Sequence, residues 1–156
     1  MRRKDREVTA PERIREIIQA CDCIRLGICD GDTAYVVPLS FGFTEGGGSY
    51  AFYLHCASVG KKLDLLRRNP HVGFELDTHH VLVSGERACD YTLRYQSVMG
   101  TGTVTWLTSA EAKKEALGHL MRQCSGLDRW TFTDAEVERV TLLRLDAAEL
   151  TCKEHL

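Results

Sequence analysis

The stretch that decides the fold is His55-Cys-Ala-Ser-Val-Gly-Lys-Lys-Leu-Asp-Leu-Leu-Arg-Arg-Asn-Pro70. It reads as the end of a strand, a short turn and one compact helix over 61–69. Leu63 and Leu66 sit three apart with Leu65 beside them, so one face of the helix can pack on a core. Asn69-Pro70 closes it, because the residue before proline is pushed out of the α region. Lys61 and Lys62 occupy the first turn, where the helix dipole is positive and each cation is unfavourable by roughly 0.3–1 kcal/mol. Free amide N–H groups, the Ser58 hydroxyl, Gly60 and two ammonium groups together would hold a phosphate. Taken alone, the same residues read equally well as two solvated lysines on a surface helix.

Upstream, residues 50–55 form a strand rich in aromatic and apolar residues. Before it, Thr44-Glu-Gly-Gly-Gly-Ser49 reads as a loop. It is no nucleotide fingerprint, since the GxGxxG spacing is absent and no helix follows. A strand over 34–43 carries Pro38 in its middle, which a fully paired central strand would not tolerate. It lies at an edge, or it bulges where a ligand meets the backbone. Residues 23–29 alternate as a further strand, and Asp30-Gly-Asp32 is a hairpin turn signal. Thr9-Ala-Pro-Glu12 is a capping box, opening a helix with Ile14, Ile17 and Ile18 on one stripe and an end near Cys21-Asp22.

Downstream, 71–77 is a strand, and 81–89 is ambiguous with a turn at Ser84-Gly-Glu86. Residues 95–107 form a long strand in which Gly100 and Gly102 mark a bulge or the close approach of another group. Thr108-Ser-Ala-Glu111 is a second capping box, for a helix to about 123 with Ala112, Ala116, Leu120 and Met121 on its apolar face. Thr133-Asp-Ala-Glu136 is a third, for a short helix. A last strand covers 141–150. About six strands, mostly joined by hairpins, with one helix interrupting them after the third, predict a mainly β fold. It is a six-stranded antiparallel barrel with peripheral helices in a single domain over 1–156.

The 156 residues carry a formal net charge of -2, which excludes a general attraction to nucleic acid or to a membrane surface. The basic start Met1-Arg-Arg-Lys-Asp-Arg6 lacks a following apolar run, so it reads as a solvated tail rather than a secretion signal. No apolar run approaches the roughly 20 residues of a membrane span. Seven cysteines without a CxxC pair fit neither a zinc ribbon nor a disulfide scaffold. They read as small buried hydrophobes in a reducing, cytoplasmic compartment.

Candidate chemistry is sparse. His55, at a strand end beside the proposed phosphate turn, is a proton carrier, a ring that packs on a ligand, or a plain surface histidine. His79 and His80 are neighbours whose side chains point to opposite faces of a regular strand, so no metal site is expected. Cys89-Asp-Tyr91 has no base beside its thiol. No Ser/His/Asp order, HExxH or Walker motif is present. Catalysis by this chain would therefore draw on a bound cofactor.

Five stretches in order carry a resemblance. Arg25-Leu-Gly-Ile, Ala34-Tyr-Val-Val-Pro-Leu-Ser-Phe41, Tyr53-Leu-His-Cys-Ala, Gly60-Lys-Lys-Leu-Asp and Asn69-Pro resemble the pyridoxamine 5′-phosphate oxidase-related, flavin-binding split barrels. The Met1–Val8 start, the run over 88–100 and the ending over 144–153 are similar to the nitroimidazole-resistance (Nim-type) subgroup. Cys152 departs from it, standing where that ending usually has glycine. The resemblance implies a homodimer of split barrels with FMN at the subunit interface. It places the phosphate on the Ser58, Gly60, Lys61 and Lys62 turn and the flavin ring along the backbone of Val37, Pro38, Leu39 and Ser40. It puts His55 near the flavin as the catalytic residue and brings Tyr95, Gln96, Ser97 and Val98 from the partner. No counterpart of the oxidase's arginine and tyrosine contacts to pyridoxamine is found. The implied activity is reduction of a small oxidised acceptor, nitroimidazoles and other nitro-aromatics among them, with electrons from NAD(P)H. The alternative is a non-catalytic flavin, deazaflavin or haem carrier.

Overall fold

The computed structural model describes residues 3–156. Met1 and Arg2 of the basic start lie outside the described residues. Along the chain the elements are β1 (Glu7–Val8), α1 (Pro11–Ala20), β2 (Ile24–Asp30), β3 (Thr33–Leu39), β4 (Phe41–Gly46) and β5 (Ser49–Cys56). Then come α2 (Lys61–Arg68), β6 (His71–Val83), β7 (Thr92–Leu107), α3 (Ala110–Ser125), α4 (Asp134–Glu138) and β8 (Thr141–His155). All strands pair antiparallel, in the order β3-β2-β6-β7-β8-β5-β4, with β1 added along β8. No helix among the described residues is long and apolar enough to cross a membrane.

The architecture is the expected mainly β split barrel, with a different strand count. The strand expected over 34–43 breaks at Ser40. Its first half pairs with β2 and its second half with β5, so the two halves become opposite edges of one sheet. β3 and β4 do not pair with each other, and the barrel stays open there. Pro38 is tolerated because β3 is an edge.

Several boundaries move. The glycine loop over 44–49 is a two-residue turn: β4 continues to Gly46, and Gly47 and Gly48 take φ 58° and 82°. Only glycine adopts consecutive positive φ readily, and such turns match the twist of the strands they join. β6 runs six residues past 77, through a bulge between Thr78 and Val81 where His79 takes φ 55°. The bulge expected from Gly100 and Gly102 sits on the neighbouring strand: Thr101 pairs with Glu149 and Gly102 with Ala147, leaving Ala148 over. A Cβ on either glycine would strike a β8 carbonyl, of Glu149 or Asp146.

Two expected caps shift by one residue. α1 starts behind Ala10 with Pro11 in its first turn and no side-chain cap, so Thr9 caps nothing. α3 is capped by Ser109, whose hydroxyl accepts from the Ala112 amide, and not by Thr108. The Thr133–Glu136 box forms as read, with both reciprocal bonds.

The interior is built from both sides. Ile14, Ile17 and Ile18 of α1 enter a core with Ile24, Leu26, Ile28 and the packed rings of Phe41, Phe52 and Phe74. β5 is buried on both faces: Tyr50, Phe52 and Leu54 face that core, while Ala51 and Tyr53 lie under α3 with Ala116 and Leu120. Gly42 permits this second layer. A Cβ there would collide with the α3 backbone at His119 and Leu120. The cysteines are mostly not core: Cys21 and Cys152 are buried, Cys23 and Cys56 half-buried, and Cys29, Cys89 and Cys124 exposed.

Candidate flavin-phosphate site

α2 carries Leu63, Leu65 and Leu66 into the core, which fixes its axis and leaves its first turn in solvent. Asn69 ends it, as Pro70 requires. At the other end Gly60 takes φ 136°, a backbone that residues with a Cβ rarely adopt. Gly60 O accepts from the Leu63 and Asp64 amides at 2.9 and 3.3 Å. No side chain caps the helix. The turn therefore presents uncapped amides and two lysines to solvent, the arrangement that holds an anion.

The two lysines differ. Lys61 Nζ lies 2.7 Å from Asp30 Oδ2 and 5.1 Å from the centre of the Tyr35 ring, both on the β2–β3 hairpin. Lys62 has no carboxylate partner among the described residues and stands beside Cys56. Burial pushes the Cys56 thiol up, and the Lys62 ammonium works against that rise. Ser58 and Val59 are exposed, Val59 with 79% of its surface in solvent.

No sequence signal assigns Asp30 and Tyr35 to the site; they reach it only through the fold. Asp30 is legible there only as a turn residue, and nothing local says that the hairpin returns to α2.

The other sequence-predicted residues fall in three places. His55 is exposed near the end of β5, opposite Leu142 of β8, on the strand that leads into the turn. Val37 and Leu39 are half-buried against the core, while Pro38 and Ser40 face solvent along the free edge of β3. On β7, Val98 is fully buried, so only its backbone is available to a ligand, and Ser97 is 9% exposed. Tyr95 and Gln96 line a cavity of about 360 Å³ that includes neither the α2 turn nor β3. The single chain thus joins the turn to the β2–β3 hairpin and keeps the β7 stretch apart.

No three His, Cys, Asp or Glu side chains gather as a metal site among the described residues. His80 Nε2 is spoken for by Asp77 Oδ2 at 3.0 Å.

A family model described as pyridoxamine 5′-phosphate oxidase matches residues 10–154. The fold is similar to that of a Bacteroides thetaiotaomicron protein, described as a candidate 5-nitroimidazole antibiotic resistance protein. The two share 30% identity at a TM-score of 0.80, over 95% of this chain and 86% of that one. It is also similar to a flavocytochrome from Azotobacter vinelandii, 20% identical at 0.79 over 100% and 72% of the chains. A FAD and heme binding protein from Mycobacterium smegmatis is 16% identical at 0.79, over 96% and 73%. No curated protein matches the sequence.

Proposed function

Because this chain belongs to the pyridoxamine 5′-phosphate oxidase family, we propose that it binds FMN and works as an FMN-dependent oxidoreductase. The observation that carries this reading is the α2 turn: uncapped amides, Gly60 at φ 136° and two lysines at a helix N-terminus. Those groups suit a phosphate dianion, whose hydrogen bonds to charged donors are individually worth about 1.5–3 kcal/mol. Ser58 adds a hydroxyl donor. Bound flavin supplies the electron transfer that no side chain of this protein can.

The protein's own part is positional. The Val37-Pro38-Leu39-Ser40 edge offers a strand backbone with no neighbour beyond it. His55, on the strand entering the turn, holds a proton near the acceptor. A second copy brings Tyr95-Gln96-Ser97-Val98 over the ring, giving a homodimer with FMN at the subunit interface. The separation of that stretch from the turn within one chain supports this assembly. Electrons come from a reduced nicotinamide and pass to a small oxidised acceptor, with nitro-aromatics the favoured class. Work in the cytoplasm fits this chemistry.

The absorption spectrum of the purified protein tests the reading. Flavin bands are expected. A Soret band would make the protein a haem carrier with His55 as candidate ligand, and a spectrum free of both after incubation with FMN would overturn the proposal.

A further inference from the structure

Two groups of the β2–β3 hairpin hold Lys61, and they are of different kinds. Asp30 holds the ammonium by charge, at 2.7 Å. Tyr35 holds it on the face of its ring, 5.1 Å from the centroid. The hairpin that carries both is itself fixed. Thr33 Oγ1 donates to the Asp30 carbonyl at 3.0 Å across the turn, and Tyr35 pairs with Ile28, which is fully buried. Tyr35 lies on the inner face of β3 with Val37 and Leu39, all three half-buried against the core. The ring is thus anchored in the core and offers its face to the ammonium.

A lysine that binds a ligand loses most of its rotamer freedom, and that loss weakens binding. The Lys61 side chain keeps 58% of its surface in solvent, so core packing does not order it in advance. A partner that orders it before the ligand arrives raises affinity. Asp30 does so while placing a negative charge beside the incoming phosphate. The Tyr35 ring carries no net charge. Its quadrupole attracts the cation and leaves the ammonium free to pair with an anion.

We propose that Tyr35 is a positioning residue for the flavin phosphate, holding the Lys61 ammonium at the α2 turn as the phosphate takes the place of Asp30. The inference rests on the FMN reading and adds a second task for β3. Val37 to Ser40 run along the flavin ring. Tyr35, two residues earlier and on the same strand face as Val37, stands behind the lysine of the phosphate. One strand thereby sets the spacing between the two ends of the cofactor. Lys62 has no such ring beneath it among the described residues.

The experiment is a fluorescence-quenching titration of the full chain with FMN and with riboflavin, which has the same ring system and no phosphate. The ratio of the two affinities reads the phosphate contacts alone. Tyr35→Leu is expected to lower that ratio by about two- to fivefold, the worth of a cation–π contact at an exposed site, and Tyr35→Phe to keep it. In a Lys61→Met background, Tyr35→Leu is expected to change the ratio no further, since the ammonium it acts through is gone. A loss shared equally by FMN and riboflavin makes Tyr35 a packing residue and overturns the inference. So does a drop in the ratio that persists without the Lys61 ammonium. A wild type that binds FMN no tighter than riboflavin refutes the phosphate reading itself. A wild type that prefers FMN, with the ratio unchanged in Tyr35→Leu, refutes the role of Tyr35 alone.

Discussion

Lys61 Nζ sits 2.7 Å from Asp30 Oδ2, across a gap of thirty residues in sequence. The cation that opposes the α2 dipole is thus balanced from within the protein, by the tip of the β2–β3 hairpin. A phosphate arriving at the turn competes with Asp30 for Lys61 and meets Lys62 without competition. The dipole mismatch visible in the sequence is consequently carried in full by Lys62 alone.

Removing the competitor is expected to help the ligand. Exposed ion pairs are worth about 0.2–1 kcal/mol, so Asp30→Asn should tighten FMN binding by up to about fivefold. Equilibrium dialysis against FMN measures this. A weaker affinity would mean that Asp30 orients Lys61 for the ligand rather than drawing it away.

Gly42 sets the distance between β4 and α3. With the α3 backbone at His119 and Leu120 where a Cβ would stand, Gly42→Ala is expected to destabilise the protein by about 1–3 kcal/mol. Gly27→Ala is the control, since its Cβ would meet only the Gly73 carbonyl oxygen, at 3.8 Å. Denaturant titration of both variants is the measurement. Equal midpoints would show that α3 moves aside at no cost.

His119 makes stability depend on pH. Its ring stacks on Tyr53 with centroids 4.8 Å apart, its Nδ1 accepts from Arg122 at 3.2 Å, and its Nε2 is buried without a hydrogen bond. Burial, and then the Arg122 charge, hold its pKa below the usual histidine value, against the pull of Glu115 and Asp128. The unfolded chain therefore binds the proton more readily than the folded one. Stability falls as pH drops through the ordinary histidine value of about 6.5 and levels off below the depressed folded value. His119→Phe, which keeps the stacking, should flatten that part of the melting-temperature profile. An unchanged slope between pH 7.5 and 5 would assign the effect elsewhere.

His55 is exposed, and its side chain has no hydrogen-bond partner among the described residues. His55→Ala should therefore change stability by no more than about 0.5 kcal/mol and leave FMN in place. As the proton carrier it should slow acceptor reduction by about 10²-fold or more, with reduction by the donor less affected. Stopped-flow rates for the two half-reactions decide. Both running at wild-type speed would make His55 a bystander.

How far the sequence reaches is clearest at α2 and at Ser40. Leu63, Leu65, Leu66, Gly60 and Asn69-Pro70 are all local signals, and the helix lies within one residue of its expected span. The break at Ser40 is not local. Residues 34–43 read as one strand because alternation continues across the break, and only the pairing of each half with a different strand divides them. β6 ran longer than expected because a bulge with a left-handed His79 interrupts the alternation without ending the pairing. The caps at Thr9 and Thr108 fit the S/T-x-x-E spacing, yet Pro11 and Ser109 set the true starts. At the site, the turn and its charges were visible in sequence. Asp30 and Tyr35 were not, since their approach to Lys61 joins residues far apart along the chain.

The central claim is that Ser58, Gly60, Lys61 and Lys62 bind the phosphate of FMN. Fluorescence-quenching titration of FMN into the wild type and into Lys61→Glu with Lys62→Glu tests it most directly. At about 1.5–3 kcal/mol for each charge-assisted bond, the double reversal should weaken binding by several orders of magnitude in a chain that still folds. Equal quenching of FMN by the two proteins would place the phosphate elsewhere and contradict the account.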